Sequence, residues 1–186
     1  MTTLRRAIKE FETALAAGNE NEIFFQKWLE SQSWAFGNAY TFRDEVRAIA
    51  LGDQVDHLVK HTAHGLRDIF ELKRPDSRLL LWDNDHRSYY WSAETSHAIG
   101  QCHRYLDALH DEARNGLRDN PDIVAYHPRA FIIQGRSAGW SQAQLNALHG
   151  LNSRLHGIQI MTYDQLLAQA NRLLDTLSTE THAHAD

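Results

Sequence analysis

The stretch "VDHLVKHTAHGLRDIFELKRPD", Val55 to Asp76, constrains the fold of this chain more than any other. Two apolar runs that read as strands flank a turn, and they carry an aspartate, a glutamate and a lysine. Burying a charge without a partner costs several kcal/mol. Either these side chains sit solvated on a hairpin edge, or they meet one another at a site. Side chains two residues apart on a strand share a face, so Glu71 and Lys73 project together while Leu72 faces away. A hairpin centred between Ala63 and His64, its turn eased by Gly65, sets Asp56 across from Glu71 with Cβ atoms about 5 Å apart. Two facing carboxylates with no cation between them repel, and a divalent ion relieves the repulsion. Carboxylates, a backbone carbonyl such as that of Leu72, and water are hard oxygen ligands suited to Mg²⁺ or Mn²⁺. Beside them Lys73 can orient or deprotonate a water, or stabilise charge on a phosphate. That chemistry is phosphodiester hydrolysis. The alternative reading of the "ExK" triplet alone is an exposed strand edge.

The flanking segments set this hairpin in a mixed α/β sheet with helices on its sides. Leu4, Ile8, Phe11 and Leu15 recur at helical spacing and Gly18 supplies a stop. Asn19 is the expected cap of a second helix in "ENEIFFQKWLESQSW". Strands are expected at roughly 45–51, 55–60 and 67–73 as an antiparallel meander, with a turn at Asp83 to His86. A long helix follows from a Ser92 cap. Then come the strand "RAFIIQGR", the helix "SQAQLNALHGLNSRL", the strand "GIQIMTY" and the helix "DQLLAQANRLLDTL". One domain is expected over 1–178, with 179–186 as a disordered tail.

Composition excludes several classes. No run of about 18 apolar residues exists to span a membrane. The N-terminus lacks the pattern of a signal peptide, and the single cysteine, Cys102, precludes an internal disulfide, so a cytoplasmic location is expected. A formal net charge of -5 gives no whole-molecule attraction to nucleic acid, so DNA binding would need a local basic patch or a metal. His57, His61 and His64 have zinc-like spacing but fall in a strand and turn, and read as exposed turn histidines. Asp53 reads as a turn residue. The five tryptophans are far apart and read as core or rim packing.

"VDHLV", "IFELKRP" and the helix "GQCHRYL" resemble the PD-(D/E)xK nuclease superfamily, and more closely the nuclease domain of Shedu anti-phage defence proteins. Further similarity lies in "ENEIFFQKWLE", "FIIQGR" and "TYDQLL", covering roughly Glu20 to Leu167. The proline of the superfamily name is absent, because Val55 precedes Asp56. The resemblance implies a restriction-endonuclease-like fold and a Mg²⁺-dependent DNA endonuclease, with Mn²⁺ able to substitute. It assigns Asp56 and Glu71 as metal ligands and Lys73 as the catalytic lysine. Gln101 becomes the helix glutamine near the active site, with Tyr105 on the same face. Glu22 becomes the first-helix glutamate that approaches the metal; a capping-box role below Asn19 is its alternative. Arg74 and Arg136 become candidate phosphate contacts. DNA, further copies of the chain and a regulatory partner protein are the implied partners. A DNA-binding or regulatory module without catalysis, and a restriction or repair nuclease, stand as alternatives.

Overall fold

The computed structural model describes residues 2–37 and 39–183. Helix α1, Thr2–Ala16, buries the stripe Ala7, Ile8, Phe11 and Leu15. Helix α2, Glu22–Ser31, is capped by Asn21, whose side chain accepts from the backbone N–H groups of Ile23 and Phe24. The expected cap, Asn19, lies two residues earlier and accepts from the Asn21 N–H instead.

Among the described residues nine strands follow: β1 Tyr40–Arg43, β2 Ala48–Ala50, β3 Asp53–Gln54, β4 His57–His61, β5 Arg67–Leu72, β6 Leu80–Asp83, β7 Ser88–Trp91, β8 Ala130–Ile133 and β9 Ile158–Met161. Helices α3, Ala93–Ala113, α4, Gln142–Asn152, and α5, Tyr163–Ala183, complete the chain. The principal sheet has the order β1-β4-β5-β8-β9. Strand β4 is antiparallel to β1 and β5, while β5-β8 and β8-β9 are parallel. The mixed α/β expectation therefore holds.

The meander does not. Residues 48–50 leave the main sheet and pair with Asp53–Gln54 in a separate hairpin. Gly52, at φ +83°, turns the chain back too early for a long strand. The place beside β4 goes to β1, and the chain then bends at Asp44, whose buried carboxylate clamps Arg67 at 2.9 and 3.1 Å. Around the expected turn at 83–86, β6 and β7 form a third, two-stranded unit. Helix α5 continues past residue 178 to Ala183.

Period-two alternation gives the main sheet two cores. Leu58, Ile69 and Ile132 face α3 and α4, packing with Ala98, Cys102, Leu109 and Leu148. Val59, Phe70, Leu72 and Ile133 face Phe11, Phe25, Leu29, Tyr163 and Leu166 of α1, α2 and α5. All six residues of β5 are buried, so this strand is the spine of the molecule. No helix is long and apolar enough to cross a membrane among the described residues.

Candidate active site

The β4-β5 register pairs His57 with Phe70 and Leu58 with Ile69, which continues to Asp56 opposite Glu71 as the sequence implied. Asp56 enters the strand and Glu71 lies near the end of β5, so both carboxylates sit at one end of the spine. The Asp56 backbone N–H donates to Glu71 Oε2 at 3.4 Å, and Asp56 Oδ2 accepts from the Leu72 N–H at 2.8 Å. Lys73 Nζ donates to Glu71 Oε1 at 2.9 Å. The three residues thus form one bonded cluster, which Asp56 joins through its backbone N–H rather than its carboxylate. Leu72 itself turns its side chain wholly into the opposite core.

Burial governs the protonation of this cluster. The Glu71 carboxyl is pushed up to about 7, first by burial and then by the charge of Asp56. Asp56 is also raised by burial, against the pull of the Leu72 N–H, Lys73 and Arg47. Burial alone would lower Lys73, but Glu71, Asp56 and Glu22 outweigh it and hold the ammonium above its ordinary range. Lys73 is therefore a cation at neutral pH. Carboxylates whose charge is this poorly compensated favour a further cation, and their oxygens suit a hard one.

The other expected site residues divide. Glu22 is the first residue of α2, not the third, so it makes no capping box. Burial raises its carboxyl, and the charges of Lys73, Asp56 and Arg74 act on it. From α3, Gln101 Nε2 donates to the Tyr105 hydroxyl at 2.7 Å. The Tyr105 hydroxyl is raised by burial and senses both Glu71 and Lys73. Between them Cys102 is fully buried, its thiol pushed up to about 12 by burial and by Glu71. Arg74 turns away to ion pairs with Asp76 and Glu20. Arg136 grips Asp164 with both Nε and Nη2 and donates to the Leu15 carbonyl, tying α1 to the start of α5. Neither arginine joins the carboxylates.

Of the three histidines with zinc-like spacing, His64 lies in the turn and His61 ends β4, with their rings stacked 4.0 Å apart. His57 is fully buried, correcting its reading as exposed, because it packs edge-on against Phe36. Asp53 is in β3, not a turn, and pairs with Arg104 of α3 at 2.9 Å.

Four groups near the cluster escaped the sequence. Arg47 Nη2 reaches Asp56 Oδ1 at 3.5 Å while its Nε donates to the Val55 carbonyl. The Gln26 carboxamide lies between these two: its Nε2 is 3.4 Å from Asp56 Oδ1, and with the amide turned its oxygen accepts from Arg47. The charge of Glu30 also acts on Asp56. Tyr163, buried in the opposite core, donates its hydroxyl to the Lys73 carbonyl at 2.8 Å. Glu22, Gln26 and Glu30 recur every fourth residue, a shared helix face that spacing could have revealed. Arg47 and Tyr163 are placed by tertiary structure alone.

Comparison with known proteins gives one family. The family model described as Shedu protein SduA, C-terminal, matches residues 19–167, most of the chain. No curated protein matches it.

Proposed function

This chain belongs to the Shedu SduA C-terminal family, and on that footing we propose that it is a metal-dependent DNA endonuclease that cuts or nicks phosphodiester bonds in defence against phage. The observation that supports this best is the bonded cluster of Asp56, Glu71 and Lys73 at the end of paired strands. Two carboxylates on adjacent strands, with a lysine two residues past the second, form the arrangement of PD-(D/E)xK nucleases, and the mixed sheet is compatible with that fold.

Asp56 and Glu71 would hold Mg²⁺, or Mn²⁺ in its place, with the Leu72 carbonyl as a backbone ligand. Among the described residues no group of three His, Cys, Asp or Glu side chains could hold a metal. Remaining positions then fall to water and phosphate oxygens, which is how Mg²⁺ is usually held. When bound, the ion supplies Lewis-acid polarisation of the phosphate and lowers the pKa of water. The protein's own part is electrostatic. Lys73, held charged by its acidic neighbours, would meet the anionic phosphate as a cation rather than as a base. The family resemblance would assign Glu22 and Gln101 to the attacking water, and the Tyr163 hydroxyl holds the Lys73 backbone carbonyl.

Supercoiled plasmid and linear single strands incubated with Mg²⁺, Mn²⁺ or EDTA test the reading. Wild type should nick or cut only with metal, and Asp56→Ala, Glu71→Ala and Lys73→Ala should each lose at least about 100-fold in rate. Absence of any metal-dependent cleavage, or unchanged cleavage by all three variants, would defeat it.

A further inference from the structure

Leaving the cluster, the chain runs directly into an aromatic groove. Residues from Pro75 to Leu81 form one wall, and Trp82, Tyr89, Arg136, Trp140 and Gln144 form the rest of a space of about 530 Å³. The wall starts two residues past Lys73, at most about 7 Å of chain. It is fixed relative to that lysine. Lys73 N–H donates to the Ile133 carbonyl at 2.8 Å, and Gly135 N–H to the Arg74 carbonyl at 3.2 Å. Ser92, the cap of α3, donates from its hydroxyl to the Arg78 carbonyl at 2.6 Å and from its N–H to the Leu79 carbonyl at 2.8 Å.

Trp82 is 47% exposed, although it is among the largest apolar side chains of the molecule. Tyr89, its cross-strand partner, meets it at 4.8 Å and 62° between ring planes, and about half of the indole stays exposed. Arg78, exposed at the wall, has no ion-pair partner among the described residues. Polar groups of the lining are partly committed: Arg136 to Asp164, Asp76 to Arg74, and the Gln144 carboxamide oxygen to the N–H and hydroxyl of Ser141. Exposed aromatic surface beside an arginine without an ion-pair partner among the described residues suits a flat ring attached to an anionic backbone, and stacking discriminates little between rings.

We propose that this groove stacks an unpaired nucleobase of the DNA strand whose phosphate lies at Lys73, so that the enzyme acts on single-stranded or locally opened DNA. The proposal rests on the nuclease reading for the position of the phosphate. A base within a closed duplex has both faces covered by its neighbours and cannot enter. Recognition is by stacking and is tolerant of sequence.

The test is binding of a single-stranded oligonucleotide containing 2-aminopurine, in EDTA so that nothing is cut, to wild type, Trp82→Ala, Trp82→Phe and Tyr126→Ala. Tyr126 is an exposed aromatic on a different loop. Wild type should quench the probe, and Trp82→Ala should bind the single strand about tenfold more weakly. Trp82→Phe should recover most of that loss, Tyr126→Ala should match wild type, and binding of the paired duplex should change less than twofold. Equal single-strand affinity in Trp82→Ala and wild type, equal losses on single strand and duplex, or no binding of single strands by wild type would each overturn the proposal. Quenching that depends on Trp82 in a protein that cuts nothing would sink the nuclease reading and leave the groove standing. Metal-dependent cleavage indifferent to Trp82 would do the reverse.

Discussion

His57 carries two ring nitrogens into a fully buried position, and neither has a hydrogen-bond partner among the described residues. Burial, then the charges of Arg43 and Arg47, lower its pKa to about 3. The unfolded chain takes up this proton first, near 6.5. The neutral ring's contribution to stability is therefore complete above that pH and is lost as pH falls toward 3. Glu71 titrates in the opposite sense. With its folded pKa raised from 4.5 to about 7, its contribution is complete below 4.5 and fades as pH rises to 7. The two effects oppose each other between 4.5 and 6.5, so single variants are needed to separate them. His57→Phe keeps a ring against Phe36 and removes the titration. Its melting temperature should rise relative to wild type at pH 5 by more than at pH 8. Parallel pH profiles for the two proteins would contradict this.

At the level of elements, the region around Gly135 holds together the end of the sheet that carries Glu71 and Lys73. Gly135 sits at φ +61°, and an added Cβ would overlap the Leu79 side chain and the Ser77 carbonyl. Gly135→Ala should cost about 3 kcal/mol in urea denaturation, from left-handed backbone strain plus overpacking. A loss below about 0.5 kcal/mol would mean that this crossing is looser than its geometry implies. The elements legible in the sequence were those with a strong local signature: the apolar stripe of α1, the Ser92 cap of α3, and the β4-β5 register that brings Asp56 to Glu71. What escaped has no local signature. Residues 40–43 are too short and mixed to announce an edge strand, and Gly52 breaks the run around 48–50 by a turn that reads equally well as a loop. The triad was readable because two-residue periodicity fixes its face. Arg47 and Tyr163 were not, since they reach the site from a separate hairpin and from the far core.

For the whole molecule, a net charge of -5 works against DNA, and several arginines are occupied by internal acids. One chain therefore holds only part of its cations free of internal ion pairs for a phosphate backbone. Assembly of several copies around the DNA would concentrate them, and light scattering should show a dimer or larger species whose dissociation weakens DNA binding. Tight, steeply salt-dependent binding by a monomer would contradict this. All of it depends on the end of β4 and β5 acting as a cation site, and calorimetric titration of the protein with Mn²⁺, without DNA, addresses that directly. Wild type should bind at least one ion per chain, more tightly as pH rises through 7 and Glu71 ionises. Asp56→Ala and Glu71→Gln should each abolish that binding. Undiminished Mn²⁺ binding in both variants would contradict the account.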